Sequence, residues 1–184
     1  GRNLEKVGQH SQDTAELFFN NVAVPVTNLL GSEGKGMRYL MSNLAQERLG
    51  IAIEAVAVAK AAVGWTLDYV KNRQAFGQAV ANFQNTKFVL AELVSEVQIA
   101  QTYIDTCIDL HCSLQLDATQ AAIAKYWCTE MQNRVVDRCL QLHGGYGYMR
   151  EYPIARAWVD SRIQSIYGGS SEIMKEIISR SFGD

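Results

Sequence analysis

A pair of charged residues interrupts an otherwise apolar stretch of the sequence and offers acid–base chemistry. Glu47 and Arg48 lie within residues 37–63, which carry few other charges. Two adjacent charges on a helix usually mark a solvated face. A carboxylate on an apolar helix can instead be partly desolvated, which raises its pKa toward the value that a general base needs. The residues by themselves leave both interpretations of Glu47 open.

The glycine-rich run at residues 143–148, His-Gly-Gly-Tyr-Gly-Tyr, offers backbone chemistry. An oxyanion hole of the esterase type would also require a G-x-S-x-G nucleophile elbow, which the sequence lacks. Glycine here can end a helix in the left-handed conformation, and it can also let a ligand approach the backbone closely. The two roles are compatible with each other.

Two further segments have the composition of anion-binding sites. The first is Arg-Gln-Ala-Phe-Gly at residues 73–77, followed by Phe83 and Gln84. The planar guanidinium of Arg73 can bind a phosphate or pyrophosphate, or it can form an interhelical salt bridge. The second is Tyr-Gly-Gly-Ser-Ser-Glu at residues 167–172, a small-residue loop whose free N–H groups at a helix start suit an anion. An ordinary capped helix start, with Glu172 beside the helix dipole, also explains the second segment.

Other chemistries are disfavoured by the residues present. His10, His111 and His143 do not follow a Glu at the Glu-x-x-His spacing of di-iron bundles, so no metal site is expected. The four cysteines lack CxxC spacing, which argues against zinc and for reduced, buried thiols. A net charge of -2 disfavours nucleic acid and anionic membranes as partners. The sequence also lacks the uninterrupted apolar run of about 18 residues that predicts a membrane span.

Hydrophobic periodicity predicts a mainly α protein. Apolar residues recur at helical spacing over residues 33–70, 84–113 and 117–142, and two shorter helices are predicted at 153–163 and 170–180. Asp117 and Gln120 resemble a capping box, and Pro153 suits the first turn of a helix. The expected fold is an up-and-down four-helix bundle preceded by a short β segment.

The β segment is predicted at residues 14–26, which are rich in β-branched and aromatic side chains. Asn20 and Asn21 are the turn residues between two short apolar runs, so we expect two short strands or a hairpin. A hairpin alone is marginally stable in water, so this one should pack on another surface.

Four motifs occur in a fixed order along the chain. They are Arg-x-x-Phe-Gly at 73–77, Phe-Gln at 83–84, Gln-x-x-Gly-Gly-x-Gly-Tyr at 141–148 and Ile-Tyr-x-Gly-x-x-Glu-Ile at 166–173. Together they resemble the C-terminal helical domain of the acyl-CoA dehydrogenase family. The opening segment resembles the end of that family's middle β-domain. The resemblance implies that residues 1–30 end the β-domain and that residues 31–184 form the helical bundle.

By resemblance, an FAD cofactor would lie between the β-domain and the bundle of a homotetramer. The FAD of one subunit would be contacted by Arg73, Phe76 and Gln84. The FAD of the neighbouring subunit would be contacted by Gln141, Leu142, His143, Gly144 and Gly145. Ser170, Ser171 and Glu172 would lie along the cofactor at the start of the last helix.

The resemblance also implies the position of the catalytic base. Most short- and medium-chain members carry a catalytic Glu in an Ile-Tyr-Glu-Gly loop, where this chain has Gly168, which cannot accept a proton. Long-chain and isovaleryl members carry the base on the first long helix, at the position of Glu47, and this chain is most similar to the long-chain type. The acyl-CoA site would be lined by Ala45, Gln46 and Arg48, and the thioester would be bordered by the backbone of Gly168 and Gly169.

The implied reaction is the α,β-dehydrogenation of a fatty acyl-CoA to trans-2-enoyl-CoA in fatty-acid β-oxidation. Glu47 would remove the pro-R α-proton, the β-hydrogen would leave as a hydride to the flavin, and an electron-transferring flavoprotein would be the electron acceptor. Two alternatives stay open: an acyl-CoA oxidase, in which oxygen reoxidises the flavin, and an inactive homologue with a role in assembly. The chain alone, without most of the β-domain, is expected to be inactive. The expected compartment is the cytoplasm of a bacterium or the mitochondrial matrix of a eukaryote, with any targeting region outside this chain.

Overall fold

Five α-helices account for most of residues 1–183, which the computed structural model describes. They are α1 (Gly36–Asn72), α2 (Gln84–Cys112), α3 (Ala118–His143), α4 (Pro153–Ser161) and α5 (Ser171–Ser179). Short 3-10 helices lie at Val26–Asn28, Val80–Asn82, Gly144–Tyr148, Arg162–Ser165 and Arg180–Phe182. The predicted mainly α fold is confirmed, and the predicted helix bounds differ from the observed ones by about three residues at most.

Short connections make the long helices antiparallel neighbours. Between Cys112, which ends α2, and Ala118, which begins α3, the link spans at most about 20 Å when fully extended. The 26 residues of α3 are about 39 Å long, so α3 has to run back alongside α2. The most extensive helix–helix interface is that between α1 and α3, and α4 and α5 both pack against α3.

Small side chains build the interface between α1 and α3. Ala52, Ala55 and Ala59 of α1 are fully buried in one cluster with Ala124 and Cys128 of α3. Small residues at a crossing let two helix backbones approach closely, and a close-packed interface holds both helices in register. The interface therefore fixes the start of α1 relative to the side chains that α3 directs toward it.

Local signals in the sequence set two of the helix starts. The backbone N–H of Gln120 donates to Asp117 Oδ1 at 2.7 Å, and the N–H of Asp117 donates to Gln120 Oε1 at 3.1 Å. This is the predicted capping box at the start of α3. Pro153 occupies the first turn of α4, where its missing N–H costs no hydrogen bond.

The two strands predicted over residues 14–26 do not form in the described part of the chain. An isolated bridge joins Asn3 to Ala15, and Asn21 adopts a left-handed conformation (φ 49°) at the predicted turn. The apolar side chains here are exposed; Phe18, for example, is 77% exposed. The prediction was wrong because a two-stranded hairpin needs a surface to pack on, and residues 1–183 do not provide one over this segment.

Helix α1 has the length and apolar composition that a membrane span would also need, and it is the one such helix among residues 1–183. The core helix of a bundle meets the same criterion, because it too is apolar around much of its circumference. In this fold the second half of α1 is packed into the bundle, where Ala55, Val56 and Ala59 are buried.

The four cysteines are all free thiols. Cys107, Cys128 and Cys139 are buried, as expected from the sequence, whereas Cys112 at the end of α2 is exposed. Burial raises the pKa of the Cys128 thiol to about 12 and that of Cys139 to about 11, so both stay protonated and behave as small apolar side chains.

A short β-hairpin, with two residues in each strand, links α1 to α2. Strand β1 (Gln74–Ala75) pairs with β2 (Gln78–Ala79), and the turn consists of Phe76 and Gly77. Both turn residues have positive φ angles, 52° and 81°. Glycine adopts this conformation without strain, but a side chain there costs about 1–2 kcal/mol. Phe76 is also 96% exposed, so burial does not repay that strain.

Replacing Phe76 by glycine should therefore not lower the stability of the fold. We expect Phe76→Gly to leave the free energy of unfolding unchanged or to raise it by up to about 1 kcal/mol, since relief of strain opposes the greater freedom of the unfolded chain. Gly77→Ala should have the opposite sign, because it puts a side chain at a positive φ. Urea unfolding of both variants measures this, and a loss above about 1 kcal/mol for Phe76→Gly would show that the ring stabilises the fold.

Candidate active site and cofactor pocket

The turn of α1 that carries Glu47 packs against the loop before α5. This loop consists of Gly168 and Gly169 and is called the diglycine loop below. A Cβ atom on Gly168 would lie 2.4 Å from Ile51 Cδ1, so the loop backbone rests directly on Ile51. Residues four apart share one face of a helix, which places Glu47 on the face of Ile51, one turn earlier. The structure thus brings the predicted base beside the loop that lacks one.

The side chain of Glu47 is not buried, as a desolvated carboxylate would have to be. Glu47 is exposed, and it is Arg48 that is buried, with 7% of its surface accessible. Ala45 is half-buried and Gln46 is exposed. Of the two interpretations that the sequence left open, the structure supports the solvated face, because Glu47 is exposed in residues 1–183. Desolvation of Glu47 requires a bound ligand or another protein surface.

The guanidinium of Arg48 lies under the diglycine loop. Its Nη2 atom is 4.0 Å from the position that a Cβ on Gly169 would occupy. Burial lowers the pKa of Arg48, and the neighbouring Glu47 carboxylate raises it. The Nε atom is buried and has no hydrogen-bond partner in residues 1–183. The side chain of Arg48 thus supports the loop from below, while its backbone remains beside Glu47.

Sequence reasoning missed a second buried cation under the same loop. Lys125 of α3 is fully buried, and its Nζ donates to the carbonyl oxygen of Gly169 at 2.6 Å. Burial, together with the charge of Arg48, lowers the pKa of Lys125 to about 8, and the charges of Glu130 and Glu172 partly oppose this shift. One signal could have found it, because Lys125 follows Ala121 by four residues and precedes Cys128 by three, which places it on the buried stripe of α3.

The start of α5 combines a buried hydroxyl with open backbone. Ser170 is the N-cap residue, and the Ser171 hydroxyl donates to Glu130 Oε1 of α3 at 2.6 Å. Ser171 is buried, so its side chain faces the bundle and only its backbone could meet a ligand. Glu172 is exposed, and hydrogen bonds from its own N–H and from Ser170 lower its pKa. Glu172 therefore remains ionised at the positive end of the helix dipole.

The predicted cofactor residues on α1 and α3 line one pocket. A cavity of about 510 Å³, called the Arg73 pocket below, lies at the end of the bundle where α1 and α3 finish. Its lining includes Arg73 with Gln141, Leu142, His143, Gly144 and Gly145. Phe76 and Gln84 are not among its lining residues. The resemblance assigned Arg73 and residues 141–145 to the flavins of two neighbouring subunits; within this chain both line one space.

Aromatic rings and one imidazole shape the wall of the Arg73 pocket. The rings of Tyr69 and His143 stack with centroids 4.3 Å apart, and the guanidinium of Arg73 lies 5.5 Å from the ring centre of Tyr146. His143 Nδ1 is 2.9 Å from the carbonyl oxygen of Cys139, so this nitrogen carries the proton. Burial lowers the pKa of His143 and favours the neutral ring. The pocket therefore combines stacking surfaces with one fixed positive charge.

The backbone of this pocket is open to close approach. Gly144 has a positive φ of 58°, and no heavy atom lies within 4 Å of a Cβ position on Gly144 or Gly145 in the described residues. An aromatic and phosphate-bearing group such as FAD fits this set: rings for stacking, a guanidinium for pyrophosphate, and uncovered peptide groups.

The chain was compared with known families and structures. The family profile described as "Acyl-CoA dehydrogenase, C-terminal domain" matches residues 34–183. This chain belongs to the acyl-CoA dehydrogenase family. The long-chain specific acyl-CoA dehydrogenase of pig mitochondria (Sus scrofa) is 52% identical over 98% of the chain, which covers 42% of that protein. The chain thus spans somewhat less than half the length of that relative.

Solved structures of the family share the fold described above. The crystal structure of an acyl-CoA dehydrogenase from Geobacillus kaustophilus superimposes with a TM-score of 0.97 at 49% identity, over 100% of this chain and 48% of that one. A chain in a structure of the electron transferring flavoprotein of Acidaminococcus fermentans has a TM-score of 0.95 at 32% identity, over 100% of this chain and 48% of that one.

The buried ammonium of Lys125 makes the stability of this family member depend on pH. Its folded-state pKa of about 8 lies below the ordinary value of 10.5, so between these values the unfolded state binds more protons. Stability from this group therefore rises with pH across that window. We expect the free energy of unfolding of the wild type, minus that of Lys125→Met, to rise by about 2 kcal/mol from pH 7 to pH 9.5.

Urea unfolding of both proteins at the two pH values measures this difference, and the subtraction removes titrations that the two proteins share. A flat or falling difference would contradict the burial of a titrating Lys125.

Proposed function

We propose that this chain is part of an FAD-dependent acyl-CoA dehydrogenase that converts a fatty acyl-CoA to a trans-2-enoyl-CoA, with Glu47 as the catalytic base. The observation that carries the proposal is the packing of the Glu47 turn of α1 against the diglycine loop. At that point Gly168 leaves no carboxylate on the loop, and Glu47 lies one helix turn before Ile51, which the loop contacts.

Glu47 would remove the α-proton of the acyl thioester. An exposed carboxylate at the end of a helix turn can reach a substrate laid across the diglycine loop. Substrate bound there would cover Glu47 and exclude water, which raises the affinity of a carboxylate for a proton. The relative named for long-chain substrates supports a fatty acyl-CoA as the substrate.

The diglycine loop would hold the thioester carbonyl. In residues 1–183, the N–H groups of Gly168, Gly169 and Ser170 have no protein acceptor. Removal of the α-proton places negative charge on the thioester oxygen, and fixed N–H donors stabilise such charge as it develops. The absence of a side chain at Gly168 also lets the loop backbone rest directly on Ile51, on the helix face that carries Glu47 one turn earlier.

We further propose that FAD is bound in part by the Arg73 pocket, with Arg73 and residues 141–145 contacting the same cofactor molecule. Bound FAD supplies a hydride acceptor for the β-hydrogen of the substrate. Arg73 would pair with the pyrophosphate, and the uncovered backbone of Gly144 and Gly145 would allow close contact. Phe76 and Gln84, which lie outside the pocket, and Ser170, Ser171 and Glu172 at the start of α5 are proposed contacts of other parts of the cofactor.

The exposed apolar surface at the start of the chain supports packing against further protein. Exposed apolar side chains extend from the first segment into α1: Leu17, Phe18, Phe19, Val22, Val24, Val26, Leu30, Met37, Leu40 and Met41. Many exposed apolar side chains in one segment are typical of an interface. It supports the assignment of residues 1–30 to the end of a β-domain and the assembly of a homotetramer.

An electron-transferring flavoprotein is the proposed electron acceptor. The chain of the Acidaminococcus fermentans structure supports this, because it shares the fold of this chain within a structure described for such a flavoprotein. An oxidase would instead pass electrons to oxygen, so peroxide formation under air separates the two.

The proposed function is tested by mixing the full-length flavoprotein with a panel of acyl-CoA thioesters of increasing chain length under anaerobic conditions. We expect loss of flavin absorbance with at least one fatty acyl-CoA and formation of the matching trans-2-enoyl-CoA. An unchanged flavin spectrum with every thioester, in a protein that holds FAD, would favour the inactive homologue instead.

A further inference from the structure

Lys125 is the largest side chain that is fully buried in the bundle. An ammonium group removed from water is unfavourable by several kcal/mol unless it is paired or hydrogen-bonded. The core cluster that α1 and α3 share consists of apolar side chains such as Ala52, Ala55 and Met131, so a methionine or leucine would suit this position better for stability alone. The presence of a lysine at this position therefore has to be explained by the hydrogen bond that its Nζ atom donates.

The group that Nζ holds is the carbonyl oxygen of Gly169, at 2.6 Å. Three other charged groups face the ammonium from the surrounding helices: Arg48 from α1, Glu130 from α3 and Glu172 from α5. Glu130 is hydrogen-bonded to Ser171, and Arg48 lies against Gly169. Each of these contacts ends on the diglycine loop or on the residues that follow it, so the charged groups converge on one short stretch of backbone.

Without these contacts, the backbone of the diglycine loop would have unusual conformational freedom. Gly168 and Gly169 have φ angles of 65° and 101°, and two consecutive glycines can rotate their shared peptide groups with little steric cost. In a trans peptide the C=O and the next N–H point in opposite directions. A carbonyl of Gly169 held toward Lys125 therefore directs the N–H of Ser170 away from the core. That N–H has no protein acceptor in residues 1–183.

We propose that Lys125 is a positioning residue: by holding the Gly169 carbonyl it fixes the peptide between Gly169 and Ser170, and with it the direction of the loop N–H groups that meet the acyl thioester. This inference rests on the proposed function. Donors fixed in direction act most on the charge that develops as the α-proton leaves, so Lys125 should contribute more to the rate of the bound complex than to substrate affinity.

The test compares two variants of the full-length holoprotein. Lys125→Met removes the buried donor while keeping an unbranched side chain. Gln132→Met is the matched control, because Gln132 is also buried on α3 and its Nε2 donates to Ser161 Oγ of α4, away from the diglycine loop. For each protein we would measure FAD content, the midpoint of thermal unfolding, the Kd of an acyl-CoA that the wild type oxidises, and the rate constant of flavin absorbance loss at saturating acyl-CoA.

We expect Lys125→Met to lower the rate constant at saturation by about 10- to 100-fold, the factor for loss of one hydrogen bond to a charged group. Its Kd should change by less than about 3-fold and its FAD content should stay that of the wild type. Gln132→Met should lower the rate constant by less than about 3-fold, whatever its effect on the unfolding midpoint. Equal rate constants for the two variants would overturn the proposal. So would an effect of Lys125→Met that is confined to the Kd of the acyl-CoA and leaves the rate constant at saturation unchanged.

If Lys125→Met does not fold, Lys125→Gln keeps an N–H donor on a shorter side chain, and we expect an intermediate loss of rate. A Lys125→Gln protein as fast as the wild type would then refute the positioning role. A wild-type holoprotein whose flavin is not reduced by any acyl-CoA is a different outcome, because it would contradict the proposed function itself.

Discussion

Glu47→Gln in the full-length flavoprotein should reduce the rate of flavin reduction by acyl-CoA by about 10³-fold or more, while FAD remains bound. General-base catalysis by a positioned side chain contributes about 10²- to 10⁴-fold, and Gly168 leaves the neighbouring loop without a carboxylate to compensate. The amide has nearly the shape of the carboxylate but cannot take up the α-proton. The measurement is the rate constant of flavin absorbance loss in rapid mixing at saturating substrate.

The matched control for this substitution is Asp68→Asn. Asp68 is an exposed carboxylate near the other end of the same helix. Its loss changes the net charge equally but leaves the turns beside the diglycine loop intact, so the rate should stay within about 3-fold of the wild type. If Glu47→Gln reduced its flavin at a rate within about 10-fold of the wild-type rate, Glu47 would not be the catalytic base.

A carboxylate placed on the loop should partly replace the one lost from the helix. In the Glu47→Gln background, Gly168→Glu restores an acid at the position that other family members use. The structure shows two obstacles: the φ of 65° at Gly168, which costs about 1–2 kcal/mol for a residue with a side chain, and a Cβ position only 2.4 Å from Ile51 Cδ1. Ile51→Val removes that methyl group.

We therefore expect the triple variant Glu47→Gln, Ile51→Val, Gly168→Glu to recover about 10- to 100-fold of the lost rate, and the same variant without Ile51→Val to recover less. Gly168→Gln in place of Gly168→Glu is the control, since it adds the same bulk without a base. Equal rates for the Glu and Gln versions would show that a carboxylate at residue 168 does not reach the substrate.

The bundle could be predicted from the sequence because its signals are local. The apolar spacing, the Asp117–Gln120 capping box and Pro153 each act within one or two helix turns, and the observed helices follow them closely. The family resemblance likewise predicted Glu47 as the base, and it named Arg73 and residues 141–145, which line the Arg73 pocket.

The features that could not be predicted from the sequence depend on contacts between distant segments of the chain. The hydrogen bond from Lys125 to Gly169 spans 44 residues of sequence, and no local pattern states that a lysine on a buried stripe meets a loop carbonyl. The burial of Arg48 in place of Glu47 depends on how α1 is rotated against α3. The prediction of strands over residues 14–26 was wrong for a related reason, because a segment with strand propensity forms a strand only when a partner surface is present.

Hydrogen exchange at the α-carbon of the substrate tests whether Glu47 abstracts the α-proton. The full-length holoprotein is incubated with acyl-CoA in D2O, and deuterium at the α-carbon is followed by mass spectrometry, with Asp68→Asn and Glu47→Gln beside the wild type. We expect α-deuteration by the wild type and by Asp68→Asn, and none above the uncatalysed background by Glu47→Gln. Exchange by Glu47→Gln at the wild-type rate would contradict the role of Glu47 as the base.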